Sequence, residues 1–295
     1  MKNEKFDIYT TITDRIIAEM ESGTIPWARP WVGHDGMNMA VSYKTGKPYS
    51  QLNQLLLGAR PGEYLTFNQV KEAGGSVKKG AKASIVVFWK MVERGDKDED
   101  GNIKVRAIPY LRYYSVFHID DTEGVKPHKR DEYTPTEWNP EEEAERVIAD
   151  YVKRSGITLE MLEQNRAYYS PMEDKVVLPL REQFNGSTEF YSTAFHEFTH
   201  STGHKSRLNR FADGEAPAAF GDENYSKEEL VAEIGSCSIM NRLGLETGNS
   251  FRNSAAYLQS WIKALRNDKR MIVSAASKAE KAMRLILGET ETETA

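Results

Sequence analysis

The segment His196-Glu197-Phe198-Thr199-His200 places two histidines four residues apart with a glutamate directly after the first. On a helix, residues at this spacing share one face, so both imidazoles can reach a single cation. Glu197 then faces the open side of that cation, where a carboxylate can take a proton from an attacking water. Phe190, Ala194, Phe195 and Phe198 supply an apolar face for such a helix, and Gly203 is a plausible stop. The five-residue match alone can arise by chance on an amphipathic helix, so the remaining donors matter. His204 continues the series, but it lies roughly 12 Å along the axis from His196 at ~1.5 Å rise per residue. A longer three-histidine pattern would need histidine at position 206, which is Ser206.

The third ligand must therefore come from another element. The stretch 226–236, S-K-E-E-L-V-A-E-I-G-S, offers Glu229 and Glu233 one turn apart. Glu229 as ligand, with Glu233 orienting a ligand histidine, fits the chemistry of such sites; the reverse assignment stays open. Glu228 reads as a solvated residue at a helix N-terminus. A His/His/carboxylate set suits one divalent ion, Zn2+ first, with Mn2+, Co2+ or Ni2+ also accommodated. Peptide hydrolysis also needs a donor for the developing oxyanion, for which Tyr225, His204 and Arg207 are candidates. Residues 175–178 form a short strand that could serve as the edge along which a peptide aligns.

The elements that must position these groups follow from periodicity and punctuation. Phe6, Ile8, Ile12, Ile16, Ile17 and Met20 predict a helix over 6–22, closed by Gly23. Short helical runs are expected at 52–57 and 67–73. Strands are expected at 84–92 and 105–119, with the polar stretch 94–102 as a hairpin loop. Residues 120–140 are charged and contain prolines, which marks a linker. Helices are then expected from Pro140 to about Ser155, over 188–202 and 226–243, and as one or two helices within 254–287.

Charge divides the chain. Residues 1–130 carry 20 Lys and Arg against 16 Asp and Glu, whereas 131–295 carry 19 against 28. Between 24 and 90 the balance is 9 basic to 3 acidic residues, interleaved with aromatics. Cations plus aromatic faces are what single-stranded nucleic acid requires. The candidates are Trp27, Arg29, Trp31, Lys44, Lys47, Tyr49, Lys78, Lys79, Lys82, Trp89, Arg112 and Tyr114. The bland alternative is that the rings are core residues and the lysines solvated. Cys237 is the only cysteine, so neither an intrachain disulfide nor a cysteine metal cluster can form. No apolar run reaches the ~18–20 residues that span a membrane, and the polar N-terminus has no signal-like core. These features predict a cytoplasmic protein without a membrane partner.

The stretches I-I-A-E-M-E-S-G-T-I-P-W-A-R-P-W and T-G-K-P-Y-S-Q-L-N (45–53) resemble the N-terminal domain of ArdC-type antirestriction proteins. F-H-E-F-T-H-S-T-G-H-K-S-R-L-N-R (195–210), Y-S-K-E-E-L-V-A-E-I (225–234) and A-A-Y-L-Q-S-W (255–261) resemble their zincin-like metallopeptidase domain. The resemblance implies two α+β domains. Residues 1–125 would bind single-stranded DNA, 126–139 would link, and 140–290 would form the zincin-like fold. It implies a plasmid-encoded protein that protects incoming conjugative DNA from host restriction, with metal at His196, His200 and Glu229. The partners expected are single-stranded DNA and a protein substrate or the host restriction machinery. The alternatives are a DNA-coating protein with a structural metal, a metal-dependent protease acting on DNA-bound proteins, and a replication accessory of a mobile element.

Overall fold

The computed structural model describes residues 7–22, 25–28, 39–58, 60–97, 103–128, 140–211, 223–245 and 254–289, the side chains of 89–111 excepted among others. The first helix, α1 (Ile8–Glu21), starts where Asp7 accepts from the Tyr9 N–H at 3.1 Å. Its buried stripe is Ile12, Ile16, Ile17 and Met20, the spacing expected from the sequence. After a 3-10 turn at Pro26–Ala28 come β1 (Ala40–Ser42), α2 (Gln51–Leu56), β2 (Gly62–Thr66), α3 (Phe67–Glu72) and β3 (Ser76–Val77). The long hairpin β4 (Ser84–Lys97) and β5 (Ile103–His118) follows, then β6 (Thr122–Glu123).

The main sheet runs β1-β2-β5-β4; β1 and β2 are parallel and the other pairs antiparallel. The short strands β1, β2, β3 and β6 were not expected, because two to five residues carry no readable alternation. The hairpin strands also run further than their apolar residues. Positions 94–97, expected in a loop, pair with 103–106, since ribbon hydrogen bonds need no apolar side chain. The rest of that loop, 98–102, lies outside the described residues. β4 ends the sheet, and α2 closes part of its edge. Asn53 donates from Nδ2 to the Val87 carbonyl (2.8 Å), and the Val87 N–H donates to Asn53 Oδ1 (2.7 Å). A buried side-chain amide thus substitutes for a neighbouring strand.

The second half opens with α4 (Pro140–Ser155), followed by β7 (Thr158–Leu162), β8 (Tyr168–Ser170) and β9 (Lys175–Pro179). Four helices complete it: α5 (Ser187–Ser201), α6 (Glu223–Leu243), α7 (Ser254–Asn267) and α8 (Met271–Leu287). The small sheet is ordered β7-β9-β8. This corrects one expectation: the strand at 175–178 is central, parallel to β7 and antiparallel to β8. Paired on both sides, it has no free row of backbone groups to offer a peptide.

The architecture is α+β with two domains, but their cores are not separate. Ile12, Ile16, Met20, Trp27, Leu52, Leu55, Leu56 and Val87 from the front half form one apolar cluster with α6, α7 and α8. Leu230, Val231, Ile234 and Cys237 of α6, and Ile272, Ala276 and Ala279 of α8, are its counterparts. A second cluster, between α4, the small sheet, α5 and the far ends of α6 and α8, belongs to the back half alone. Of the expected linker, residues 126–128 are described and are pinned down: His128 donates its backbone N–H to Glu63 at 3.2 Å. Residues 129–139 lie outside the described residues. No helix among the described residues is long and apolar enough to cross a membrane.

Candidate metal centre and nucleic-acid surface

α5 buries Phe190, Ala194, Phe195 and Phe198, which turns the opposite face, with His196 and His200, towards α6. The close approach of α6 depends on Gly235. A Cβ there would stand 2.7 Å from Thr199 Cγ2 and 2.9 Å from its Oγ1. With no side chain in the way, α6 presents consecutive carboxylates to the two imidazoles. Glu229 lies 3.4 Å from His196 Nε2 through one oxygen and 3.5 Å from His200 Nε2 through the other. The two Nε2 atoms are 3.1 Å apart.

His196, His200 and Glu229 thus offer donor atoms that all lie within 4.8 Å of one another. Donors at ~2.0–2.1 Å around a tetrahedral ion are separated by about 3.3 Å, so the observed spacing fits a single small cation. The other ring nitrogens also face carboxylates. Glu233 is 3.4 Å from His196 Nδ1, and Glu228 is 3.5 Å from His200 Nδ1. Burial works against charging both imidazoles. The facing carboxylates outweigh it: Glu229 and Glu233 raise His196, while Glu228 and Glu229 raise His200 to about 10. Burial likewise opposes ionisation of Glu229, yet the two imidazoles hold its pKa far below the ordinary carboxylate range. Burial pushes Glu233 up, against the pull of His196. The pocket therefore attracts positive charge.

Glu228 corrects the sequence reading. It is buried rather than solvated, because Arg210 reaches it with Nη2 at 2.6 Å and Nε at 3.3 Å. Sequence reasoning gave Arg210 no role; it sits in irregular chain after the turn that follows α5, with no spacing relation to the motif. Glu197 is buried, and its charge acts on both imidazoles. α5 ends at Ser201 with Thr202 as its cap, so the chain leaves the helix at Gly203 as expected; a Cβ there would also lie 2.4 Å from the Phe211 ring. Arg207 is held by Asp174 and by the Ser201 carbonyl (2.8 Å), bracing the end of α5 against the β8–β9 turn. Those bonds remove it from the oxyanion candidates. His204 Nδ1 lies 3.3 Å from the Ser206 backbone nitrogen and 2.8 Å from its hydroxyl oxygen. Tyr225 is half-buried near the start of α6.

The candidate DNA residues divide. Trp27 is 1% exposed and packs edge-to-face on Trp261 at 5.7 Å, and Tyr49 is buried against Tyr64. Neither can present a face to a base, so both are withdrawn as stacking platforms. Arg29 and Trp31 lie outside the described residues, and Trp89 is described only as backbone in β4. Lys44, Lys47, Lys78, Lys79, Lys82, Arg112 and Tyr114 are exposed. Phe88 pairs with Arg112, and Val86 with Tyr114, so these four share one face of the hairpin. Phe88 (42%) and Tyr114 (45%) are unusually exposed for aromatic residues.

Two family models cover most of the chain. Residues 6–117 match the N-terminal domain of anti-restriction factor ArdC, and residues 142–278 match a zincin-like metallopeptidase. The metal-free crystal structure of antirestriction protein ArdC from plasmid R388 superposes with a TM-score of 0.73 at 38% identity. The match covers 95% of this chain and 97% of that one. The chain belongs to the ArdC antirestriction family. The Mn(II)-bound R388 structure gives a TM-score of 0.74 at 36% identity, covering 96% of this chain and 98% of that one.

This ArdC-family chain is also 34% identical to DNA primase TraC of Escherichia coli, over 97% of its own length and 28% of TraC. Protein y4eC of Sinorhizobium fredii is 33% identical over 93% of this chain and 89% of its own. The chain spans about a quarter of the TraC sequences it matches.

Proposed function

We propose that this protein is a plasmid-encoded, cytoplasmic antirestriction factor. It binds single-stranded DNA through its front half and carries a divalent metal in a peptidase-type site in its back half. The observation that carries the metal reading is the convergence of His196 Nε2, His200 Nε2 and Glu229 at ligand spacing. The Mn(II)-bound R388 relative supports a divalent ion, with Zn2+, Mn2+, Co2+ and Ni2+ as the candidate occupants.

His196, His200 and Glu229 would hold the ion, and Glu233 would fix the His196 ring by accepting its Nδ1–H. A bound divalent ion supplies Lewis acidity for polarising a carbonyl and acidifying water. Glu197 would take the proton from the attacking water and pass it to the leaving amine. His204 or Tyr225 would donate to the developing oxyanion. Lys78, Lys79 and Lys82 lead into β4 and, with Arg112, Phe88 and Tyr114, supply cations and ring faces for a single strand.

Metal analysis of the wild type beside His196→Ala tests the first half of the reading: one equivalent is expected in the former and none in the latter. Titration with single-stranded and duplex DNA tests the second. Equal affinity for the two would remove the stacking argument. The core shared by the front half and α6 favours a second reading, a metal-dependent protease acting on DNA-bound proteins. It requires cleavage that depends on both DNA and metal.

A further inference from the structure

The metal reading leaves one buried pair without a role, Arg210 and Glu228. We infer that Arg210, acting through Glu228, positions the His200 imidazole, so that the site depends on an ion pair lying outside the three ligands. The inference rests on the proposed metal site and extends it.

Glu228 and Glu229 are consecutive on α6, so their side chains leave the helix about 100° apart. This lets both reach the same ring. Glu229 faces His200 Nε2 at 3.5 Å, and Glu228 faces its Nδ1 at 3.5 Å. A proton on Nδ1, held by Glu228, leaves the Nε2 lone pair directed at the cation. Glu233 provides the corresponding oxygen on the His196 side.

A carboxylate buried as deeply as Glu228 is costly without a countercharge. Arg210, itself 6% exposed, supplies it with two donors. The same guanidinium donates to the Thr202 hydroxyl at 2.6 Å and the Thr199 carbonyl at 2.8 Å. Those acceptors stand at the C-terminal end of α5, where a cation is favoured by the helix dipole. The connection is closed: the end of α5 holds Arg210, Arg210 holds Glu228, and Glu228 holds a ring on α5. Rotation of the His200 imidazole would break the Glu228 contact, so the clamp sets the ring's orientation before the cation arrives.

The test uses full-length protein loaded with Co2+ or Zn2+, with Glu228→Ala, Glu228→Gln and Arg210→Met as variants. Three quantities are measured: the metal Kd against a competing chelator, the paramagnetically shifted imidazole N–H resonances of the Co2+ form, and unfolding after chelation. Glu228→Ala is expected to weaken metal binding by roughly 10–100-fold and to broaden or abolish one of two histidine N–H resonances through solvent exchange. Glu228→Gln, which still accepts from Nδ1–H, should retain that resonance and lose less affinity. Arg210→Met should fall between.

Wild-type Kd values and both resonances intact in Glu228→Ala and Arg210→Met would overturn the inference while leaving the metal site standing. A wild type that binds neither ion overturns both. If the alanine variant does not fold, Arg210→Met decides. An unchanged Kd and an unchanged N–H exchange rate in that variant would refute the clamp.

Discussion

Gly235→Ala probes the contact that lets α6 approach α5. The new Cβ would meet Thr199 at 2.7 Å and 2.9 Å, against ordinary contacts that begin near 3.4 Å. Thr199 is fully buried, and its hydroxyl is committed to the Phe195 carbonyl at 2.7 Å, so it cannot swing away without losing that bond. The helices must separate by about 0.7 Å to restore normal contact, several times the ~0.2 Å tolerance of a metal–ligand bond. Overpacking of this kind costs about 1–3 kcal/mol, and the better helix propensity of alanine returns about 1 kcal/mol. The expected net loss is therefore roughly 0–2 kcal/mol in chelator-treated protein, with metal affinity down at least about tenfold.

Thr199→Ala alone should cost about 1 kcal/mol for a lost hydrogen bond and methyl group. In the double variant, the new Cβ faces the Thr199 Cβ position at 3.4 Å, an acceptable contact. Stability and metal binding should then return close to wild type. Thermal and urea unfolding in EDTA, with metal competition in parallel, measure all four corners of this cycle. A single Gly235→Ala variant that is more stable than wild type and binds metal equally well would refute the argument that this glycine sets the helix spacing.

Three further outcomes are expected. Glu197→Ala should retain stoichiometric metal yet lose any peptide hydrolysis by two or more orders of magnitude; intact restriction protection by that variant in a conjugation assay would show that protection does not need cleavage. In EDTA, the His200 ion pairs should stabilise the fold below pH 6.5, with that contribution lost as pH rises towards 10, because the folded pKa lies above the unfolded one. A flat Tm between pH 7 and 10 would contradict this. Single-stranded DNA affinity should fall steeply with salt, and Tyr114→Ala should weaken it by about 1–3 kcal/mol, whereas Lys79→Ala should mainly flatten the salt slope; fluorescence titrations at several ionic strengths separate the two effects.

Long periodic segments and short rigid motifs were legible without coordinates. The α1 stripe, α4, the motif helix and α6 follow from apolar spacing, since a helix face repeats within a few residues whatever surrounds it. The two-imidazole face of the metal site is equally local. The choice between Glu229 and Glu233 was not, since two carboxylates one turn apart fit the pattern in either order; the structure sets Glu229 against both Nε2 atoms and Glu233 against Nδ1.

What needed the fold was whatever depends on residues distant in the chain. Whether Trp27 and Tyr49 face water or core is decided by α6, α7 and β2, up to more than two hundred residues away, and residue type does not carry that information. The same holds for the strand at 175–178, whose neighbours fill both its hydrogen-bonding edges, and for Glu228, solvated on an isolated helix but buried once Arg210 folds back. Local sequence determines which groups a segment can present. Only tertiary packing decides whether they meet water, hydrocarbon or a countercharge, because burial and ion pairing are properties of surfaces brought together by the whole chain.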